Sequence, residues 1–145
     1  MSLFNSLSVS ASGLTAQRQR AEVLVENIAN ADTTRTAGGG PYKRQDVVFE
    51  AQSVGQPFSS VFQDQLDSQP KGVAISQIVV DQSEPDRRYM PGHPDADKDG
   101  YVSFPKVNPA EDMVDLLGAS RGYQANVSAI SAVRDMINRS MDLFR

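Results

Sequence analysis

From residue 108 to residue 145 the chain places Met113, Leu116, Tyr123, Val127, Ile130, Ile137, Met141 and Phe144 at alternating steps of three and four, with only Ser120 and Arg134 breaking the run. A 3-4 alternation held over more than four repeats is the seam of one long amphipathic helix. Asn108 can cap its start, Pro109 suits the first helical position, and Glu111 sits where a capping box places its acid. Acids crowd the first turns (Glu111, Asp112, Asp115) and arginines the last (Arg139, Arg145), as the helix dipole favours. Such a helix spans on the order of 55 Å at about 1.5 Å per residue, more than a compact domain of this size ordinarily contains. It calls for a partner, and for an elongated chain.

The partner is at the other end. Phe4, Leu7, Ala11, Leu14, Arg18, Ala21, Val25 and Ile28 repeat the same spacing, again with an arginine in the seam. Ser6, Ser8, Ser10, Ser12 and Gly13 lower intrinsic helicity in its first half, so this helix is expected to fray until something packs on it. It should stop near Asn30, ahead of Asp32-Thr33-Thr34 and Gly38-Gly39-Gly40-Pro41. The expected fold is α+β: long terminal helices (1–33 and 108–145) packed as an antiparallel coiled coil, with a small loop-rich β region (34–107) between them. A register that brings Phe4 near Phe144 sets Arg18 opposite Ile130 and Arg134 opposite Leu14. Neither arginine meets an acid there, and burying an unpaired guanidinium is costly, so both are expected to mark faces toward neighbouring subunits.

The middle region has proline, glycine and short β-branched runs in place of helical periodicity. Expected strands are Asp46 to Gln52, Phe58 to Gln63, Val73 to Asp81 and Tyr101 to Phe104. The net charge of −4 falls mostly in the middle region, with eleven acids and eight bases in 31–107, and no segment is basic enough for nucleic acid or an anionic membrane. No apolar run approaches membrane-spanning length, and MSLFNSLSVSASG lacks the basic and apolar regions of a secretory signal. With no cysteine, thiolate metal sites and cysteine nucleophiles are excluded.

One stretch invites a metal. Asp95-Ala96-Asp97-Lys98-Asp99-Gly100 matches the first half of an EF-hand loop, whose alternating oxygens wrap a hard cation. The match fails at the twelfth position, which is Lys106, and Pro94 and Pro105 oppose flanking helices. A solvated acidic turn feeding a strand at Tyr101 is the plainer reading. His93, the only histidine, lies among Pro91, Gly92 and Pro94 as a turn residue would. No serine sits in a nucleophile elbow, and the glycine run is followed by Pro41-Tyr42, not by a phosphate-loop lysine. No enzyme, cofactor or metal is expected.

Asn27-Ile28-Ala29-Asn30-Ala31-Asp32-Thr33 followed by Tyr42-Lys43-Arg44 resembles the N-terminal signature of bacterial flagellar rod and hook proteins, with Thr34 to Pro41 as a longer spacer than usual. The block Pro91-Gly92-His93-Pro94-Asp95-Ala96-Asp97 with Gly100-Tyr101-Val102, then Ala119-Ser120-Arg121 and Tyr123-Gln124-Ala125-Asn126-Val127, is similar to the proximal rod members of that family. The resemblance implies a non-enzymatic structural subunit of the basal-body rod that transmits torque across the periplasm. It implies export without cleavage by the flagellar type III apparatus, and helical self-association through the terminal helices. The implied partners are other proximal rod proteins, the rod-export-gate adaptor and the distal rod protein, with no nucleic acid and no membrane span. Candidate assembly residues are Leu7, Leu14, Arg18, Val25 and Ile28 on the first helix and Arg121, Tyr123, Asn126, Ile130, Arg134, Ile137 and Met141 on the last. Asn27, Asn30 and Thr33 are expected to cap the corner, with Arg121 approaching Glu26 or Asn30 within one chain or across a subunit boundary. The competing class is a soluble helical-hairpin adaptor or secreted coiled-coil binding module; a calcium-regulated domain is a third.

Overall fold

The computed structural model describes residues 3–53 and 71–142. Its elements in order are α1 (Leu3–Ala29), β1 (Gln45–Ser53), β2 (Lys71–Val80), β3 (Asp86–Tyr89), β4 (Tyr101–Phe104) and α2 (Pro109–Asp142). Two long terminal helices and small sheets make this an α+β chain. The expected strand from Phe58 to Gln63, and Phe144 with Arg145, lie outside the described residues.

Asn108 caps α2 as expected, its Oδ1 accepting from the Ala110 N–H at 3.2 Å, with Pro109 as the first helical residue. α1 ends at Ala29; the Asn30 N–H still bonds the Glu26 carbonyl at 3.1 Å before the chain turns away. β1 pairs with β2 in one two-stranded sheet, and β3 with β4 in another. The second is antiparallel, Asp86 opposite Phe104 and Tyr89 opposite Tyr101.

β3 was not visible to periodicity. Its sequence, Asp-Arg-Arg-Tyr, is charged and lacks β-branched residues. It is extended because β4 holds it, and its arginines cover the partner's rings: the Arg87 guanidinium lies 5.4 Å from the Tyr101 ring centre and that of Arg88 lies 4.7 Å from Phe104.

The chain divides into two compact units, each drawing on both long helices. The first comprises described residues of Met1–Gln19, Phe49–Ser76 and Ala119–Arg145, and its buried apolar residues are Ala16, Ala119 and Val133. Here the start of β2 meets α1, the Val73 N–H donating to Ser12 Oγ at 3.0 Å. The second, Arg20–Val48 with Gln77–Gly118, buries Val23, Leu24, Val102 and Phe104 together with the polar Asn27 and Asp112.

The expected heptad seams do not coincide with what the chain buries. On α2 the covered positions run Asp112, Asp115, Leu116, Ala119, Gly122, Asn126, Ile130, Val133 and Ile137, and on α1 they include Ala16, Arg20, Val23 and Asn27. These stripes pass along one side of the expected seams. Alternate seam members are left exposed on both helices: Phe4, Ala11, Arg18 and Val25 on α1, and Met113, Ser120, Val127, Arg134 and Met141 on α2. The other set, Leu7, Leu14, Ala21, Ile28, Leu116, Ile130 and Ile137, is half-buried, while Tyr123 is exposed. The physical reason is size. Glycine, alanine and short amides along the covered stripe let chain segments approach closely, which Met, Tyr and Phe would prevent. Arg18 and Arg134 are both exposed, so neither is the buried guanidinium that the assumed register implied.

Candidate functional site

The turn after α1 is built around one amide. Asn27 is fully buried; its Nδ2 donates to the Gln45 carbonyl at 2.8 Å and its Oδ1 accepts from the Gln45 N–H at 2.9 Å. The side chain thus bonds the start of β1 as a neighbouring strand would, satisfying groups that helix and sheet both leave open. The Tyr42 hydroxyl donates to the same Oδ1 at 3.0 Å. Burial, with the charges of Glu26 and Asp112 nearby, raises the Tyr42 pKa above its usual range, so the phenol stays protonated and donating.

Asn30 and Thr33 close the turn itself. The Asn30 Nδ2 donates to the Glu26 carbonyl at 2.9 Å, its Oδ1 accepts from Thr33 Oγ1 at 3.1 Å, and the Tyr42 N–H bonds the Thr33 carbonyl at 3.0 Å. Asn27, Asn30 and Thr33 therefore lie in one hydrogen-bonded corner.

Sequence reasoning missed the ion pair beneath it. Arg44 Nη2 meets Asp112 Oδ1 at 2.9 Å, with Asp46 at 3.7 Å as a second acid. Asp112 is fully buried in the first turn of α2, and the pair ties that turn to the residue before β1. Burial opposes the Arg44 charge, but Asp112 with Asp46 and Glu111 overcomes it and holds the guanidinium pKa above its usual value. Contact is one-armed: Arg44 Nε and Asp112 Oδ2 are buried without a hydrogen-bond partner among the described residues. The sequence showed Asp112 only as one of several acids in the first turns of α2, with nothing to single it out. A groove of about 670 Å³ opens beside Arg44, lined by acids (Asp81, Glu84, Asp86, Glu111), by Arg88 and Lys106, and by Pro85 and Pro105.

Two carboxylates of the acidic loop, those of Asp95 and Asp97, take protein donors. Asp97 Oδ1 accepts from the Tyr101 and Asp99 N–H groups at 2.8 and 3.0 Å, and its other oxygen pairs with Arg87. The Tyr101 N–H is the main cause that lowers the Asp97 pKa, with Asp99 and Arg87 adding to it. Asp95 accepts from Thr34 Oγ1 at 2.8 Å and faces Arg35 Nη1 at 3.5 Å, so the loop pins the base of the Thr34–Pro41 spacer. Gly100 turns at φ 83°, and a Cβ there would stand 2.9 Å from the Tyr89 ring. His93 accepts the Asp95 N–H on Nδ1 at 3.1 Å and stacks edgewise on Phe104, a turn residue as expected.

The helix faces are the other candidate surface. Gly13 of α1 lies against Asn126 of α2, where the assumed register put Asp135, and Gln17 lies against Gly122, where it put Ser131. The register is displaced by more than two turns. Arg121, next to Gly122, is exposed. Of the candidate residues, Val25, Tyr123, Arg18, Arg134 and Met141 are exposed, while Leu7, Leu14, Ile28, Asn126, Ile130 and Ile137 are partly covered.

The chain matches two family models: "Flagella basal body rod protein" over residues 7–35 and "Flagellar basal body rod FlgEFG protein C-terminal" over residues 98–143. It is 41% identical to the flagellar basal-body rod protein FlgC of Borreliella burgdorferi, covering 100% of this chain and 99% of the relative. The chain belongs to the FlgC family of flagellar basal-body rod proteins. FlgC of Bacillus subtilis is likewise 41% identical, covering 99% of both chains, and FlgC of Salmonella typhimurium is 33% identical over 99% of this chain and 98% of its own. As a FlgC-family member the chain is a structural rod subunit of the flagellar basal body. Among the described residues no helix is long and apolar enough to cross a membrane.

Proposed function

We propose that this subunit polymerises in the proximal rod through its terminal helices, which pair as an antiparallel coiled coil within the chain and offer their remaining apolar face to neighbours. The observation that carries the proposal is the exposed half of the two heptads: Met113, Val127 and Met141 on α2 and Phe4 and Val25 on α1 are between 42% and 72% exposed. A helix that stays wet along a regular apolar stripe is suited to a second helix. The opposed contacts Gly13 to Asn126 and Gln17 to Gly122 support the antiparallel pairing.

In this reading residues 1–33 and 108–145 are the axial helices and 34–107 a middle region anchored by the Asn27 corner. Leu7, Leu14, Arg18, Val25, Ile28, Tyr123, Ile130, Arg134, Ile137 and Met141 meet neighbouring subunits, and the partners are other proximal rod proteins, the export-gate adaptor and the distal rod protein. The subunit crosses to the periplasm through the flagellar type III apparatus without cleavage and carries no catalytic activity. Torque transmission then follows from close-packed helices covered on both sides, which resist deformation as protein interiors do.

Val127→Lys tests the surface. The side chain is exposed in the single chain, so the melting temperature of the purified subunit should hold, while motility and the recovery of intact rods by electron microscopy should be lost. Normal rods built from Val127→Lys subunits would remove the proposal.

A further inference from the structure

Residues 13–17 read Gly-Leu-Thr-Ala-Gln and residues 122–126 read Gly-Tyr-Gln-Ala-Asn. Each long helix therefore carries a glycine, an alanine three places on and an amide four places on. The contacts cross. A Cβ on Gly13 would lie 2.9 Å from Asn126 Oδ1 and 3.0 Å from its Nδ2, and a Cβ on Gly122 would lie 3.2 Å from the Gln17 Cδ. The amide of each helix lies on the glycine of the other. Asn126 is held there by its own backbone, Nδ2 donating to the Gly122 carbonyl at 2.9 Å, while Gln17 Oε1 is buried with no partner among the described residues.

Neither feature is what stability alone would select. Glycine is the poorest helix former after proline, and a buried carbonyl without a donor is unfavourable. Both make sense as discrimination. If α2 slid one turn along α1 in one direction, Asn126 would meet Gln17 and two amides would compete for one space. A turn in the other direction would set Gly13 against Gly122 and leave a gap. A seam of leucines would tolerate either shift; a few polar residues in a seam fix its register at a cost in stability.

We propose that the two Gly-x-x-Ala-amide segments form one matched element that sets the register and spacing of α1 against α2, and so decides which heptad residues remain on the outer face. The inference rests on the antiparallel pairing proposed above. Gly13, Gln17, Gly122 and Asn126 are positioning residues; they act on assembly through the faces they leave exposed.

The experiment is a pair of double-mutant cycles on the purified full chain, read by thermal unfolding. Alanine favours a helix, but at position 13 its methyl runs into Asn126. Gly13→Ala is expected to lower the melting temperature in the natural background and to raise it when Asn126→Ala is present. Gly122→Ala should change sign in the same way with Gln17→Ala, by a smaller shift because its contact is looser. A shift for Gly13→Ala that is the same in both backgrounds overturns the inference.

Register is read separately. The chain has no cysteine, so Val9→Cys with Ile130→Cys, one turn beyond the Gly13 to Asn126 contact, reports the native pairing cleanly. That disulfide should form in the natural background. Adding Gln17→Leu and Asn126→Leu should divert crosslinking to a Val9→Cys with Arg134→Cys pair. No disulfide at 9 and 130 in the natural background refutes the antiparallel pairing itself. A disulfide there that the two leucines leave unchanged refutes only the register-setting role.

Discussion

Around the end of α1, Val23, Leu24, Val102 and Phe104 are buried beside Asn27 and Asp112, both of which take partners far away in the sequence. Among the described residues of the other unit the buried apolar ones are Ala16, Ala119 and Val133, and glycines of the two helices lie against amides. A fully buried Val, Leu or Phe side chain contributes about 1.5–3 kcal/mol, and alanine much less. The first set can hold a corner by itself. The described residues of the other unit bury smaller side chains, while Tyr123, Val127, Met136 and Met141 on α2 are exposed. Exposed apolar side chains occur in both units, Val25, Met113, Val114 and Leu117 in the one and Phe4, Val127, Met136 and Met141 in the other, so the two differ in what they bury and not in what they expose.

The contrast is most sharply tested by removing Arg44. Arg44→Ala strands the buried Asp112 carboxylate and should cost about 3 kcal/mol, measured by urea unfolding. A loss under about 1 kcal/mol would mean that the corner does not depend on the pair. Asn27→Ala takes three hydrogen bonds from a fully buried site, and should cost about 2 kcal/mol with faster exchange of the Gln45 N–H. Unchanged exchange at Gln45 would show that the strand start is held by other means.

In the helix-rich unit Val133→Ala removes two methylenes' worth of burial and should cost about 1 kcal/mol. Hydrogen exchange should rise along α2 beyond Ala119 and stay constant around Asn27; a rise in both places would make the two units one cooperative body.

The smallest effect is alkaline. The Tyr42 pKa is raised in the folded chain above its ordinary 10.0, so its contribution is complete below pH 10 and is lost as pH rises through the folded value. The wild-type chain should lose stability across that window relative to Tyr42→Phe, followed by unfolding at stepped pH. Parallel curves would separate the phenol from the corner.

Much of this architecture was legible in the residues. The heptads located both helices, Asn108 and Pro109 located the start of α2, and the turn chemistry of Asn27, Asn30 and Thr33 pointed to a corner. The acidic loop feeding a strand at Tyr101 was legible too, and its Asp95 and Asp97 carboxylates accept from Thr34, Arg87 and backbone donors. β3 was illegible because its extended form comes from pairing with β4 and not from its own side chains.

Apolar spacing by itself determined that two long helices exist and that each carries a stripe needing cover, because helical periodicity is a local property of the chain. It did not determine which side of each stripe the chain covers itself. That was decided in three dimensions by volume: Gly13, Gly122, Ala16 and Ala119 permit close approach, so the small residues turn inward and alternate members of the heptads turn out. The tertiary structure likewise chose Asp112 over its acidic neighbours as the partner of Arg44, since only the folded corner brings a residue before β1 to the first turn of α2.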